Sequence, residues 1–387
     1  MKIVHLCLAS FYPDGYSYQE NLLPKFHKKL GLNVEVIAST QSFDKDGRVC
    51  YLNKTGSYIN EFGIKVTRLP YLFNGKICHK LRKYKGVFNS LQKAAPDIIF
   101  IHGVQFADVP QVIKYKKKNP RVIMYADNHA DFTNSATNWL SKVVLHQIIW
   151  RHYAQLLVPY INKFYGVLPV RVDFLKDIYH IPSKKCELLV MGADDDLVMQ
   201  AKNLNMRDCI RKKYGISNND FLIVTGGKID QWKTQTLLLM QAIQKINSKR
   251  VKLIVFGSVI PELKKEFMKL VDNCKIYYAG WIRSNESYNY FEAADLGIFP
   301  GRHSVLWEQA VGEGLPLIVK DWPGTHHVDL GGNVRFLVKD SVEEIQQNIE
   351  FLINHPDVYN SMKKIAQDKG MSYFSYKEIA KRSIEQQ

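Results

Sequence analysis

The stretch that decides the fold of this chain is residues 224–233, which read VTGGKIDQWK. An apolar run ends here in two glycines, and two lysines follow, Lys228 and Lys233. A buried strand that turns sharply into a helix has this pattern, and cations at the mouth of such a strand suit a diphosphate. A second stretch, residues 307–319, reads WEQAVGEGLPLIV and opens a helix with the carboxylate of Glu308. A carboxylate there suits the two hydroxyls of a ribose, so the two stretches together predict a nucleotide-sugar site.

Length and composition predict a globular protein of two domains. The chain has 387 residues, of which 46% are hydrophobic and 23% are charged. Its six cysteines show no C-x-x-C pair, which excludes a zinc ribbon or a disulfide scaffold and fits a reducing compartment. The apolar run at the start is too short for a signal peptide, and none approaches the roughly 18 residues of a membrane-spanning helix. These features predict a cytoplasmic protein.

The positive charge is concentrated in the first half of the chain. Of the net charge of +16, residues 1–195 carry +12, with clusters of lysines and aromatic residues at 25–29, 79–85 and 114–118. Such a surface attracts nucleic acid, anionic lipid headgroups or a phosphorylated substrate. Solvated helix faces would account for any single cluster equally well.

Short apolar runs alternate with helix-length amphipathic stretches, which predicts an α/β fold of two Rossmann-like domains with parallel sheets facing a cleft. The predicted domains are residues 1–195 and 196–370, followed by a last segment at 371–387. Strands are predicted at 2–7, 34–39, 64–69, 98–102, 122–127, 163–168, 187–191, 221–225, 252–257, 275–279, 295–299, 316–319 and 334–338. Ligands in such sheets bind beyond the carboxyl ends of strands.

Taken in order, the motifs resemble retaining bacterial glycosyltransferases of the GT-B fold, in particular glycosyltransferase family 4. The resemblance implies that residues 1–195 bind the acceptor, that residues 196–370 bind the donor, and that residues 371–387 form a helix that crosses back to the first domain. The family has the motif Gly-Arg-Leu, followed after a spacer of three residues by Lys-Gly. At the same spacing this chain has Gly227-Lys228-Ile229 and Lys233-Thr234. A lysine in place of the arginine keeps the charge and loses the bidentate fork. The resemblance implies that both lysines stabilise the charge on the leaving nucleoside diphosphate, as a metal does elsewhere.

The paired-glutamate motif of the family is only half present. Glu308, placed by the Gly-Leu-Pro at 314–316, matches the second glutamate, which in the family holds the ribose. The first glutamate would fall at Pro300 and is absent, and the loop at 301–306 is shorter than usual. The resemblance implies donor contacts from this loop, and they are assigned to His303, Ser304 and Val305.

Two segments of the first half resemble the family's other contacts to the substrates. Residues 11–15, FYPDG, look like the loop after the first strand, in which Gly15 would approach the donor. Residues 125–131, YADNHAD, resemble the segment whose histidine, here His129, reaches the donor sugar near the transferred carbon. Asp127 and Asp131 flank it and are assigned to the acceptor. A histidine that only satisfies the loop at a strand end is the alternative for His129, and the same question is open for His102.

Three further features complete the resemblance. Trp281 and Ile282 match the segment that packs beside the nucleobase, although an ordinary strand end explains them nearly as well. The acidic run at 194–196 fits an interdomain turn better than a metal site, because no second cluster of ligands accompanies it. Ser375, with Glu378 three residues on, predicts the capped start of the C-terminal helix. No metal and no cofactor are expected.

The sequence therefore predicts a cytoplasmic glycosyltransferase, peripheral at the inner face of the membrane. It would move a sugar from a UDP- or GDP-sugar to a glycan acceptor with retention, in capsule or O-antigen assembly. The basic first half favours a lipid-linked acceptor. A sugar-nucleotide epimerase of the same fold and a non-catalytic binder of anionic glycan or nucleic acid are the alternatives. Against nucleic acid, the sequence contains no recognised binding module, and charge alone gives nonspecific affinity.

Overall fold

The computed structural model describes residues 1–43, 49–73, 75–136, 138–139 and 141–385. The chain divides into two compact units. The first contains Met1–Val190 and the chain from Ile379 onward, and the second contains Met191–Glu378. Each unit is built on its own predominantly parallel sheet, which confirms the predicted α/β class.

Eight strands form the sheet of the first unit, in the order β10-β9-β8-β7-β1-β2-β6-β5. Only the edge strand β5 runs antiparallel to its neighbour, and β3 and β4 form a separate antiparallel pair. The strand order reverses between β1 and β7, so the loops that follow these two strands start side by side. The strands are β1 (Lys2–Cys7), β2 (Asn33–Ser39), β3 (Gln41–Phe43), β4 (Val49–Tyr51), β5 (Gly56–Ile59), β6 (Lys65–Leu69), β7 (Ile98–His102), β8 (Ile123–Asn128), β9 (Lys163–Gly166) and β10 (Cys186–Leu188).

The helices of this unit connect the parallel strands. They are α1 (Gln19–Lys29), α2 (Lys76–Leu81), α3 (Val87–Ala94), α4 (Val109–Lys118), a π-helix (Ser141–Trp150), α5 (Arg151–Leu157), α6 (Pro169–Asp177) and a 3₁₀ turn (Ser183–Lys185).

Six parallel strands form the sheet of the second unit, in the order β13-β12-β11-β14-β15-β16. The order reverses between β11 and β14, where a doubly wound sheet binds its ligands. The strands are β11 (Phe221–Gly226), β12 (Val251–Phe256), β13 (Ile276–Gly280), β14 (Leu296–Phe299), β15 (Leu317–Lys320) and β16 (Val334–Leu337). The helices are α7 (Asp195–Asn203), α8 (Met206–Lys213), α9 (Gln235–Lys245), α10 (Pro261–Leu270), α11 (Ser287–Ala293), α12 (Leu306–Glu313), α13 (Val342–Asn354) and α14 (Pro356–Phe374), with 3₁₀ turns at Ser284–Glu286 and His326–Val328.

The last helix, α15 (Tyr376–Arg382), returns the chain to the first unit. Ser375 precedes it, and its hydroxyl accepts a hydrogen bond from the backbone N–H of Glu378 at 3.2 Å, the capping contact that the sequence predicts. Beyond α15, the carbonyl of Ile384 accepts a hydrogen bond from the Tyr125 hydroxyl of β8. Within the described part of the chain, no helix is both long enough and apolar enough to cross a membrane.

Each predicted strand is present, with ends that differ by no more than a few residues. The central strands are readable because strands buried on both faces appear as continuous apolar runs. The sequence did not predict β3, β4 or β5. The residues of β5, Gly56–Ile59, are exposed at every position, so no burial pattern marks them.

Candidate functional site

The loop after β11 brings a lysine over a glycine at the centre of the second sheet. Gly227 has φ +109°, a conformation that favours glycine, and a Cβ there would lie 3.1 Å from Nζ of Lys233. A Cβ on Gly301, in the loop after β14, would lie 3.2 Å from the Cα of Lys233. Leu306 also approaches Gly227, so the two loops that start at the reversal of strand order meet here. The structure thus brings together the predicted residues Gly227 and Lys233.

Lys233 carries a charge that the described residues leave largely uncompensated. Burial lowers the pKa of its ammonium group, Arg302 adds to this effect, and Asp230 opposes it. None of the described carboxylates lies within ion-pair distance of Lys233 or of the exposed Lys228. A partly desolvated cation beside glycine backbone at a sheet centre suits an anionic ligand.

Glu308, in the first turn of α12, is fully buried. Its Oε1 accepts hydrogen bonds from Nε2 of His303 and from Nε2 of His327, both at 2.9 Å. Burial alone would raise the pKa of Glu308, but these two imidazoles outweigh it and hold the pKa well below its ordinary value. The predicted residues Glu308 and His303 are therefore in contact, and the carboxylate is ionised.

Several buried polar atoms around this glutamate lack a hydrogen-bond partner among the described residues. They are Oε2 of Glu308, Nδ1 of His327, Oγ of Ser304, Nε1 of Trp307 and Oε1 of Gln235. Ser304 and Val305 immediately precede α12, and Gln235 opens α9, so these atoms belong to the loops and helix starts at the same end of the sheet. An unpaired buried polar atom costs about 1–3 kcal/mol, and a polar ligand would supply partners.

Trp281 and Ile282 lie at a different place in the second unit. They follow β13 and line a pocket of about 440 Å³ with residues of α8 and α11, among them Met206 and Tyr290. The indole of Trp281 is 70% exposed. The ends of β11, β12 and β13 are adjacent, since the N–H of Gly227 donates to the carbonyl of Phe256 at 3.1 Å and the N–H of Gly257 donates to the carbonyl of Gly280 at 2.7 Å.

In the first unit, His129 follows β8 and borders an open pocket of about 900 Å³. Its Nε2 lies 3.4 Å from Oδ2 of Asp127 and 3.7 Å from Oε1 of Glu20. These are ion-pair distances, but the geometry makes no hydrogen bond, and Nε2 is buried without such a partner among the described residues. Burial lowers the pKa of His129, but Asp127 and Glu20 outweigh it, so that the pKa is raised.

The two predicted acceptor residues are both engaged by the protein. Asp127 is buried and accepts hydrogen bonds from His102 at 2.8 Å and from the N–H of Gly103 at 2.9 Å. Asp131 accepts from Nε of Arg171 at 2.9 Å and from the N–H of Thr133 at 2.7 Å. Both carboxylates therefore support the loop that carries His129.

Gly15 is part of the loop after β1, with φ +75°. Its N–H donates to Oε1 of Glu61 at 2.9 Å, so this amide is already used within the protein.

The pocket beside His129 combines aromatic rings with positive charge. It lies at the carboxyl ends of β1, β7 and β8. Phe11 stacks on Phe43 with ring centroids 4.8 Å apart, and Tyr51 stacks on His79 at 4.2 Å. The charged residues that line the pocket are Lys76, Lys80, Arg82 and Glu20, so cations outnumber the single carboxylate.

Two sets of three side chains bring possible metal-ligand atoms within 4.8 Å in the described part of the chain. They are Glu20, His102 and His129, and His303, Glu308 and His327. Both ring nitrogens of His102 are already hydrogen-bonded, and both Nε2 atoms of the second set bond to Glu308. Hydrogen bonds account for the short distances, and we assign no metal to either set. The acidic run at 194–196 caps α7, and Asp195 accepts from Ser375 and from the N–H of Lys377.

Sequence reasoning missed His327 and Glu20. His327 contacts Glu308 from a 3₁₀ turn 19 residues further along the chain, and Glu20 reaches His129 from α1. No spacing rule marks such contacts, because they depend on how the loops pack.

No protein-family model and no curated protein sequence matches this chain. Solved structures do match it over nearly its full length. A glycosyltransferase from Rickettsia africae ESF-5 superposes with a TM-score of 0.69 at 14% identity, covering 99% of this chain and 96% of that one. HepE of Anabaena, solved in complex with UDP, gives 0.67 at 15% identity, covering 99% and 98%. WaaG, a glycosyltransferase involved in lipopolysaccharide biosynthesis, gives 0.66 at 14% identity and covers 98% of both. The chain therefore has the GT-B fold.

Proposed function

We propose that the protein is a glycosyltransferase that uses a nucleotide-sugar donor. The observation that carries the proposal is the position of Lys233, a partly desolvated cation without an ion-pair partner among the described residues, over Gly227 at the reversal of strand order in the second sheet. The diphosphate of a nucleotide sugar supplies the matching charge, and the unpaired buried atoms around Glu308 supply donors and acceptors. UDP and UDP-glucose complexes of HepE, which has the same fold, support a donor of this class.

In the proposed reaction, Lys233 and Lys228 stabilise the charge that develops on the leaving nucleoside diphosphate. The acceptor oxygen forms a bond to the anomeric carbon of the sugar as the bond from that carbon to the diphosphate oxygen breaks. The donor phosphate takes the proton of the acceptor hydroxyl, and the configuration is retained. His129 binds a hydroxyl of the transferred sugar. No metal is required in this scheme, because the two ammonium groups take its electrostatic role.

The first unit supports an anionic glycan acceptor, which we propose is lipid-linked. Stacked aromatic rings suit sugar faces, and Lys76, Lys80 and Arg82 suit a diphosphate. On α2, Ile77 is 76% exposed between these two lysines, and Phe73 just before α2 is 67% exposed. Exposed apolar side chains among lysines suit the inner face of an anionic membrane, and hence the assembly of a surface polysaccharide such as capsule or O-antigen.

The donor proposal is tested by the melting temperature of the protein with UDP, GDP, ADP and CMP, each with and without EDTA. At 100 times its dissociation constant a ligand adds about 2.7 kcal/mol, which is several degrees for a protein of this size. We expect one nucleotide to raise the melting temperature regardless of EDTA, and Lys233→Ala to abolish the shift. Lys245→Ala is the matched control, because Lys245 ends α9, the helix that follows the Lys233 loop, and pairs with Glu343 on the surface.

The other outcomes identify the alternatives. No shift with any nucleotide would favour a non-catalytic binder of anionic glycan. Conversion of a free UDP-sugar to its epimer without acceptor would favour an epimerase. A protein that stays in solution with anionic vesicles at moderate salt would contradict the membrane-linked acceptor.

A further inference from the structure

Three buried imidazoles lie in single file behind His129. Nδ1 of His27 is 2.9 Å from Nε2 of His5, and Nδ1 of His5 is 2.9 Å from Nε2 of His102. Nδ1 of His102 is 2.8 Å from Oδ2 of Asp127. The rings come from α1, β1 and β7, and all three are 0% exposed. We call His27, His5 and His102 the histidine file.

Each end of the file meets a defined partner. At the inner end, Asp127 lies between His102 and His129, and its Oδ2 also accepts from Nε2 of Gln19 at 3.2 Å. At the outer end, Nε2 of His27 is 3.0 Å from the carbonyl oxygen of Ala380 and 3.0 Å from Oγ of Ser383. The outer end is therefore closed by α15 and the residue that follows it.

The hydrogen bonds fix the tautomers when the file is neutral. A neutral imidazole carries one N–H and one lone pair. Because the carboxylate of Asp127 accepts from Nδ1–H of His102, Nε2 of His102 must accept from His5, and Nε2 of His5 must accept from His27. All three protons then sit on Nδ1. The lone pair left on Nε2 of His27 accepts the proton of the Ser383 hydroxyl, which donates instead to the carbonyl of Ala380, at 2.8 Å, when Nε2 itself carries a proton.

One added proton reverses the two histidine–histidine hydrogen bonds without moving a heavy atom, and the bond from His102 to Asp127 keeps its direction. A proton taken up at Nε2 of His27 donates to the carbonyl of Ala380. The Nδ1 proton of His27 passes to Nε2 of His5, and the Nδ1 proton of His5 passes to Nε2 of His102. His5 and His27 remain neutral with their protons on Nε2, and His102 becomes the imidazolium beside Asp127.

We propose that the histidine file is a proton relay that sets the protonation state of His129 through their shared partner Asp127. When the file holds the added proton, His102 compensates Asp127 and His129 is released as a neutral base or acceptor. When the file is neutral, Asp127 holds the proton on His129. The members of the file are positioning residues for His129, and only the use of His129 on a sugar rests on the proposed function.

The surroundings favour a charge at the inner end of the file. Burial lowers the pKa of His27 to about 4 and that of His5 well below its ordinary value, so neither ring keeps the charge. The other groups facing the inner end are Glu20 and Arg171 near His129, and the buried thiol of Cys7 near Asp127.

The relay is tested on the full chain labelled with ¹⁵N-histidine, by the ring nitrogen shifts of His5 and His27 between about pH 5 and 9. We expect both rings to change from the Nδ1–H to the Nε2–H tautomer at one common pH on acidification, with neither becoming an imidazolium. Separate transitions, fixed tautomers throughout, or an imidazolium at His27 would each overturn the proposal. His355, which is exposed, serves as the reference ring.

Ser383→Ala sharpens the test. It removes the hydroxyl that satisfies Nε2 of His27 in the neutral file and leaves the Ala380 carbonyl, which needs an N–H. We expect His5 and His27 to change to the Nε2–H tautomer at a higher pH than in the wild type. The pKa of His129 should fall by about half a unit. Ser372→Ala is the matched control, because the Ser372 hydroxyl donates to a carbonyl three residues earlier with the same 2.8 Å geometry.

Unchanged tautomers and an unchanged His129 titration in folded Ser383→Ala would show that the file carries no proton. If the wild-type protein shows the tautomer change but transfers no sugar, the result would count against the proposed function alone.

Discussion

The two units place polar groups at the same position in their sheets, the carboxyl ends of the central strands, but they satisfy these groups differently. In the first unit, every ring nitrogen of His5, His27 and His102 has a partner within the protein. In the second unit, the described residues leave Lys233 without an ion-pair partner and leave one oxygen of Glu308 unpaired.

We call the histidine file with Asp127 and His129 the first centre, and the group around Lys233 and Glu308 the second centre. The difference between them indicates which kind of group each one can accommodate. A buried network in which each atom has a partner can redistribute protons at little cost, because the total number of hydrogen bonds is kept. A buried centre with unpaired atoms is held at a cost of about 1–3 kcal/mol for each atom, which a ligand offsets when it binds. The first centre is therefore suited to protons and the second to a polar, anionic substrate.

The largest expected effect comes from Glu308→Gln, which would break the second centre. The change weakens two charge-assisted hydrogen bonds from histidines, and we expect a loss of about 3 kcal/mol in the free energy of unfolding at pH 7. Since the folded pKa of Glu308 is depressed, its contribution is present above the unfolded pKa and is lost as the pH falls. Urea unfolding at pH 7 and at about pH 4 should show the deficit shrinking on acidification. An equal deficit at both values would contradict this account.

Glu313→Gln, on the same helix, should raise the free energy of unfolding, whereas Glu308→Gln lowers it. Both oxygens of Glu313 are buried without a hydrogen-bond partner among the described residues, and Nζ of Lys202 is 3.9 Å away. Burial raises its pKa to about 10, which Lys202 opposes and Glu292 reinforces. With the folded pKa above the unfolded one, stability is lost as the pH rises between the two. We expect the glutamine to stabilise the protein by about 2 kcal/mol at pH 8 and by less near pH 5, measured by thermal unfolding.

Glu343→Gln is the control for both variants, because Glu343 is an exposed residue paired with Lys245 on the surface. It should leave unfolding nearly unchanged at each pH. A Glu313→Gln protein that is no more stable at pH 8 than this control would show that the carboxyl of Glu313 is solvated in solution.

The sequence predicted the sheets well and the contacts of the site only in part. Strands such as Ile98–His102 are continuous apolar runs, and the two glycines after Thr225 mark a tight turn, so local pattern was enough. The histidine file was out of reach, since His5 and His102 are 97 residues apart in sequence and meet only because β1 pairs with β7. The same holds for His327 against Glu308. Sequence pattern finds the end of the strand at which chemistry lies, and the packing of separate loops decides which side chains meet there.

The smallest expected effect comes from Glu20→Gln at the mouth of the first centre. Two carboxylates raise the pKa of His129: Asp127, which is tied to the histidine file, and Glu20, which is 3.7 Å away and outside it. Removing the charge of Glu20 should lower the pKa of His129 by about half a unit, or roughly 0.7 kcal/mol, while the tautomers of the file stay unchanged. The titration of His129 by NMR measures this, with Glu187→Gln, which removes an exposed carboxylate paired with Lys163, as the control. If Glu20→Gln also altered the tautomers of His5 and His27, Glu20 would belong to the relay. The double variant compares the two effects on the pKa of His129. If the pKa shifts caused by Glu20→Gln and by Ser383→Ala add in the double variant, the charge of Glu20 and the proton in the histidine file act on His129 independently.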